Sequence, residues 1–176
     1  MKTAMDAIRD RRSCRAYKSE PLKDGELEMI LEAAILAPSA KNLQERHITV
    51  ITDRNYLDEL NEKMCEKISR SPDEYHIFHH APAVLVLSAP DTARWGREDM
   101  GILSENIALA AESIGIGSVI LGLPQMYYET QEANEDIEKL GVPEGYRPVL
   151  CVSLGYKAND DIPAKPRNRG VVSYIK

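Results

Sequence analysis

Cysteine is scarce and positive charge is in deficit. The three cysteines, Cys14, Cys65 and Cys151, are odd in number and widely separated. They suit neither a disulfide framework nor a zinc-type pair, and they fit a reducing compartment. No apolar run approaches the ~18 residues that a membrane span requires. The opening MKTAMDAIRDRR lacks an apolar signal region, so a cytoplasmic location with no membrane partner is expected. Lys and Arg number 22 against 28 Asp and Glu, a net charge of −6. Proteins that hold long nucleic acid carry a basic face that neutralises phosphates, so no nucleic-acid partner is expected. Also missing are the G-x-S-x-G elbow, the Walker A loop and the G-x-G-x-x-G dinucleotide fingerprint. Gly115-Ile116-Gly117 closes a helix rather than opening one, so it reads as a C-cap and turn.

What is present is the composition of an ordinary globular chain, 43% hydrophobic and 28% charged over 176 residues, which excludes disorder and collagen. With no repeat, low-complexity tract or linker, one domain over residues 1–176 is expected. The placement of charge is more informative than its sum. Arg9, Arg11, Arg12 and Arg15 stand near the start, and Lys165, Arg167 and Arg169 near the finish. A fold that joins the two ends would build a local anion site on the scale of one phosphate.

Helix and strand patterns alternate. Residues 3–11 read as a short helix, with Met5 and Ile8 three apart. Residues 24–37 carry Leu27, Ile30, Leu31 and Ala34 at helical spacing, stopped by Pro38. His47 to Thr52 reads as a strand, and Asp53 is placed to N-cap a helix to about Lys67. Pro82 to Ser88 is nearly all apolar, as in a strand buried on both faces. Residues 97–114 form a long helix whose apolar residues point in most directions, so it packs either in a large core or between subunits. Gly117 to Leu121, Arg147 to Tyr156 and Val171 to Ile175 read as further strands, and residues 129–140 as a helix. About five strands interleaved with helices predict an α/β or α+β fold with a mixed sheet.

Few residues offer chemistry of their own. His76, His79 and His80 have metal-capable spacing on a helix. The same three residues before Ala81-Pro82 also read as a polar turn leading into a buried strand, and no metal site is assigned. Cys14 lies in a basic stretch that lowers a thiol pKa, yet nothing supplies it with a base. It reads as a spectator, and no catalytic side chain is assigned. The loop Ala37-Pro38-Ser39-Ala40-Lys41-Asn42-Leu43-Gln44 combines small residues, a hydroxyl and amides. Such groups hydrogen-bond the edge of a flat heterocycle, and they also build ordinary turns.

Taken in order, several segments point the same way. They are Arg11-Arg12-Ser13-Cys14-Arg15, Pro38 to Gln44, Ala81 to Val86, Asn106 to Ala111 running into Gly115-Ile116-Gly117, Ser153-Leu154-Gly155-Tyr156, and Lys165-Pro166-Arg167. This set resembles the nitroreductase family of FMN-dependent oxidoreductases over essentially the whole chain. The resemblance implies an α+β fold with a central mixed, mostly antiparallel sheet. It implies a homodimer with FMN between subunits and a C-terminal strand exchanged onto the partner. It further implies hydride passage from NAD(P)H through the flavin to a small acceptor such as a nitroaromatic or quinone, by a ping-pong mechanism. A different electron donor and a non-catalytic flavin-binding dimer stay open as alternatives.

By the same resemblance, Arg11, Lys165 and Arg167 match the residues that clamp the FMN phosphate. Arg12 and Ser13 match contacts to the ribityl chain and pyrimidine edge, and Arg15 matches a cation facing flavin N1 and C2=O. Pro38, Ser39, Ala40 and Asn42 match a loop reaching the cofactor from the other subunit. Ile120, Leu121 and Gly122 match the segment over one ring face. The family loop usually continues Gln-Pro-Trp, whereas Gln44 here precedes Glu45-Arg46. That change removes a rigid turn and an aromatic and adds two charges. Trp95 and Tyr75 are candidate pocket aromatics, though packing or surface placement is the favoured reading.

Overall fold

The computed structural model describes residues 1–159 and 162–176. The helices are α1 (Ala4–Asp10), α2 (Asp24–Ile35), α3 (Arg54–Lys67), α4 (Gly96–Ser113), α5 (Gln125–Tyr128) and α6 (Asn134–Lys139). The strands are β1 (His47–Ile51), β2 (Ala83–Pro90), β3 (Ile116–Leu121) and β4 (Tyr146–Tyr156). They form one sheet in the order β1-β2-β4-β3, every pairing antiparallel. The α+β class is as expected. The sheet has four strands instead of five, and no parallel ladder joins them.

The fifth expected strand, residues 171–175, pairs with nothing among the described residues, and Val171, Val172, Tyr174 and Ile175 are exposed. The segment that includes Ser13 borders β3 through a bridge from Ser13 to Ser118, so part of that edge is already taken.

Strand pleating sorts the core into two layers. Val84 and Val86 of β2 face a cluster containing Leu57, Leu60, Met64, Phe78 and Tyr128, packed by α3 and α5. Leu85 and Leu87 face the opposite cluster of Ile30, Ala34, Met100, Leu103 and Ile107, contributed by α2 and α4. That is why the β2 run is apolar at successive positions: both of its faces are buried. α4 turns Met100, Leu103, Ile107 and Ala111 to the sheet. Ile102 is exposed on its other side, so within this chain the helix is not buried all round.

Local chemistry sets the boundaries. Thr3 and Asp53 cap α1 and α3 with their side chains, Asp53 accepting from Asn55 N at 2.9 Å. The helix expected over 129–140 is confined to Asn134–Lys139. Thr130 Oγ1 donates to the Tyr127 carbonyl (2.8 Å) and Arg147 to the Tyr128 carbonyl (3.1 Å). Between them the backbone makes turn bonds, Thr130 N to Tyr127 O and Asn134 N to Gln131 O, in place of a helical ladder. Among the described residues, no helix is long and apolar enough to cross a membrane.

Close packing at Gly155 ties the N-terminal segment to the sheet. A Cβ there would stand 2.6 Å from Pro82 Cδ and 2.9 Å from Tyr17 Cδ1. Overpacking of this kind costs about 1–3 kcal/mol. Gly155→Ala is therefore expected to lower the midpoint in urea denaturation without changing the slope. An unchanged midpoint would show that Pro82 and Tyr17 yield freely.

Candidate functional site

The arginines of the head and the cations of the tail meet. Arg11, Arg12, Ser13, Arg15, Lys165 and Arg167 line one cavity of about 230 Å³ with Ile162 and Pro163. A neighbouring cavity of about 320 Å³ shares Ser13, Arg15, Ile162 and Pro163 and adds Cys14, Ala16 and Asn159. The N-terminal segment is held there by backbone bonds. Cys14 N donates to Ser118 O, Lys18 N to Tyr156 O, and Ala158 N to Ala16 O, at 2.9 to 3.0 Å.

Arg12 supplies a test of what the cavity takes. Its Nη1 donates to the carbonyls of Arg9 (2.7 Å) and Arg11 (2.8 Å), which fixes the guanidinium. Its Nε is buried with no partner among the described residues. A buried donor left unsatisfied is costly, and an anion in this cavity would accept from it. Arg11 faces Glu105 at 3.7 Å, a distance that leaves its fork free for a bidentate anion contact. The residues present fit a phosphate-bearing group.

Cys14 departs from expectation. It is 1% exposed, and burial raises its thiol pKa, outweighing its Ala16 hydrogen bond and nearby Lys157. The basic neighbours do not make it a thiolate, which agrees with a spectator role.

Pro38, Ser39, Ala40 and Asn42 do not line these cavities. They form a tight turn after α2 in which Lys41, Asn42 and Gln44 have φ of 52°, 55° and 55°. Such values are uncommon outside glycine and need support. Ala40 N donates to both carboxylate oxygens of Asp99 on α4 (2.9 and 3.2 Å), and Gln44 N donates to Ser39 Oγ at 2.9 Å. Arg46 donates to the carbonyls of Ile35 (2.6 Å) and Ala37 (2.7 Å). The Glu45-Arg46 departure thus supplies a clamp: the guanidinium ties the loop to the C-terminal end of α2. Neither Asp99 nor Arg46 was legible as a loop anchor, because both contacts depend on tertiary placement.

Ile120 and Leu121 end β3 half-buried, and Gly122 is exposed. A Cβ at Gly122 would meet only Leu150 Cδ2, at 4.0 Å. Its bare backbone is therefore open to an approaching ligand and not required by internal packing. Three strand residues, Val119 to Leu121, separate it from Ser118, a span of four rises or roughly 13 Å.

The histidines form a turn, not a helix. Asp58, His76 and His80 place ligand-type atoms within 4.8 Å of one another. His76 Nδ1, however, accepts from Phe78 N (3.2 Å) and His80 N (3.4 Å). Its proton is accordingly on Nε2, 3.1 Å from Asp58 Oδ1. Burial lowers its pKa, outweighing the Asp58 hydrogen bond. Both ring nitrogens are engaged in holding the turn, in line with the polar-turn reading. Trp95 is exposed, with Arg94 stacked 4.9 Å over its ring. Tyr75 is half-buried beside His79 and Arg70.

The fold is an antiparallel α+β sheet on which N- and C-terminal cations share one cavity. The sequence pattern of the nitroreductase family matches residues 8–156. The chain belongs to the nitroreductase family. A relative from Archaeoglobus fulgidus, assigned by name to the NADH dehydrogenase/NAD(P)H nitroreductase class, is 35% identical over 166 residues, covering 91% of this chain and 88% of the relative. The FMN reductase [NAD(P)H] of Bacillus subtilis is 29% identical over 185 residues, covering 95% of this chain and 70% of its own. Among solved structures, a nitroreductase with bound FMN from Bacteroides fragilis superposes with a TM-score of 0.91 at 29% identity, covering 100% of both chains.

Proposed function

We propose that residues 1–176 act as one nitroreductase-like domain. The activity is that of an FMN-dependent oxidoreductase, carrying hydride from NAD(P)H to a small acceptor such as a nitroaromatic or quinone by a ping-pong route. The observation that carries this reading is the convergence of Arg11, Arg12, Arg15, Lys165 and Arg167 on one cavity. Family membership and the FMN bound by the Bacteroides fragilis nitroreductase support it. When bound, FMN would supply the hydride-accepting redox chemistry that this chain's side chains lack.

The chain's own part is binding and electrostatics. Arg11, Lys165 and Arg167 hold the phosphate by charge-assisted contacts. The unspent Arg12 Nε and the Ser13 hydroxyl serve the ribityl chain and pyrimidine edge. Arg15 favours negative charge on the ring beside it, which raises the reduction potential. Ile120, Leu121 and Gly122 lie against one ring face, and Gly122 admits the ring closely. Pro38, Ser39, Ala40 and Asn42 reach the cofactor of a second copy of the chain, in a turn already fixed by Asp99 and Arg46. That second copy covers Met5 and Ile8 of α1 and Met29 and Ile35 of α2, all exposed here, and the apolar tail pairs with its sheet.

The purified protein is expected to be yellow, to elute at twice the chain mass and to oxidise NADH or NADPH when a quinone is supplied. A colourless protein that takes up no FMN and oxidises neither nucleotide would overturn the reading.

A further inference from the structure

Residues 75–81 lead from α3 into β2 and carry an unspent oddity. His79 and His80 both have φ of 55°, successive left-handed conformations that non-glycine residues rarely adopt. The surroundings impose them. His76 Nδ1 accepts from the backbone N–H groups of Phe78 and His80. Asn61 of α3 accepts from Ile77 N at 2.8 Å and donates to Tyr75 O at 3.4 Å. Ser153 of β4 donates to Phe78 O at 3.1 Å. Strain held this firmly from buried positions is characteristic of functional sites.

The turn packs against the segment that carries Arg15, which lines the cofactor cavity. Ser153 bonds it through Oγ, while the Ser153 carbonyl accepts from Tyr17 Oη at 3.3 Å. Pro82 and Tyr17 both close on Gly155. The segments 76–82 and 14–17 therefore run side by side over the end of β4, with Arg15 on one and His79 on the other. His79 is half-buried, and Tyr75 meets its ring edge-on at 6.5 Å. No side-chain hydrogen bond uses either ring nitrogen among the described residues.

We propose that this strained turn presents His79 to the ring end of the bound flavin, next to Arg15, as a cofactor-contacting residue. The inference rests on the FMN reading above. Burial first, then the charges of Arg15, His76 and His80, lower the imidazole pKa. Tyr75 is the other titratable group against the ring. A neutral imidazole offers one donor and one acceptor, whereas the Arg15 guanidinium only donates. A flavin pyrimidine edge alternates carbonyl acceptors with an N–H donor, so His79 supplies the acceptor that Arg15 lacks.

The test compares His79→Ala and His79→Asn with the wild type. FMN is titrated into each apoprotein, the bound-flavin absorption spectrum is recorded, and the thermal midpoint of each apoprotein is measured. His79→Ala is expected to raise the Kd for FMN about five-fold or more, the change expected from losing one hydrogen bond, and to alter the visible band. His79→Asn, which tolerates the left-handed backbone and restores a donor and an acceptor, is expected to recover most of both. The His79→Asn midpoint is expected to match the wild type, since His76, Asn61 and Ser153 hold the turn, and the His79→Ala midpoint to be lower, because alanine is strained at positive φ; the asparagine variant thus separates affinity from stability. Wild-type affinity and spectrum in His79→Ala would overturn the proposal. So would an asparagine variant that recovers stability but not affinity, which marks a structural role. Wild-type protein that binds no FMN would overturn the FMN reading together with this inference.

Discussion

Arg11→Ala combined with Arg167→Ala is expected to weaken FMN binding by at least ~2–3 kcal/mol, roughly 30- to 150-fold in Kd. The figure follows from removing one charge-assisted contact at each end of the chain. Both residues line the same cavity. Among the described residues, the 3.7 Å approach of Glu105 is all that competes with an anion for the Arg11 side chain. Because the attraction is between charges, wild-type affinity should also fall as ionic strength rises, and the double variant should show a shallower fall. Arg9→Ala is the control. Arg9 is an exposed helical residue 3.7 Å from Asp6 and outside the cavity lining, so its loss should leave affinity within two-fold of the wild type. Fluorescence quenching of FMN titrated with apoprotein reads all three. Equal affinity in the double variant and the control would mean that the phosphate sits elsewhere.

That cavity is partly legible in the sequence alone. Arg11, Arg12 and Arg15 sit close together in the chain, and Lys165 and Arg167 follow the last buried strand. Excess cation at two termini of an acidic chain is a pattern the eye can find. Helices with a strong 3.6 period and strands with continuous apolar runs fell where local preference and burial agree: α2, α3, β2 and β4. Tertiary demand decides where local preference does not. Residues 171–175 have a strand composition but pair with no strand of this chain among the described residues. Residues 129–133 could continue a helix, but they form turns with i→i+3 backbone bonds, Thr130 N to Tyr127 O and Asn134 N to Gln131 O. The strain at Lys41, Asn42, His79 and His80 leaves no mark on composition. It is set by Asp99, Arg46, His76 and Asn61, acting from other elements.

The supports of the site and the stability of the fold share one buried group. Glu112 near the C-terminal end of α4 is 3% exposed. Lys2 and Lys157 each donate to its carboxylate at 2.7 Å, and Lys2 also reaches Asp10 at 2.8 Å. A carboxylate so near a helix C-terminus is unfavourable with the macrodipole, so the two lysines are what make it tolerable. Lys157 in turn leans over Gly117: a Cβ there would lie 2.8 Å from Lys157 Cγ and 2.9 Å from Cys14 Sγ. The triad therefore pins the N-terminus, α4 and the end of β4 around the segment that carries Ser13 and Arg15.

Glu112→Gln is expected to cost about 2–3 kcal/mol, below the usual cost of breaking a fully buried ion pair because Lys2 is partly exposed and regains water. For a chain of this size that is a fall of roughly 5–10 °C in Tm. The pH dependence has a definite sign. Burial pushes the Glu112 carboxyl up, but hydrogen bonds and charge from Lys157 and Lys2 outweigh it and hold the carboxyl below its ordinary value. The folded state thus binds the proton less readily than the unfolded chain. Its contribution is fully present above the ordinary glutamate range and is lost as pH falls through the lowered folded value. Wild-type Tm should drop on acidification over that interval, and Glu112→Gln should drop less steeply, so the two curves converge at low pH. Parallel curves, or a glutamine variant as stable as the wild type near neutrality, would show that water serves the lysines as well as Glu112 does. In that case the pinning of Ser13 and Arg15 rests on the backbone bonds to Ser118 and Tyr156 alone.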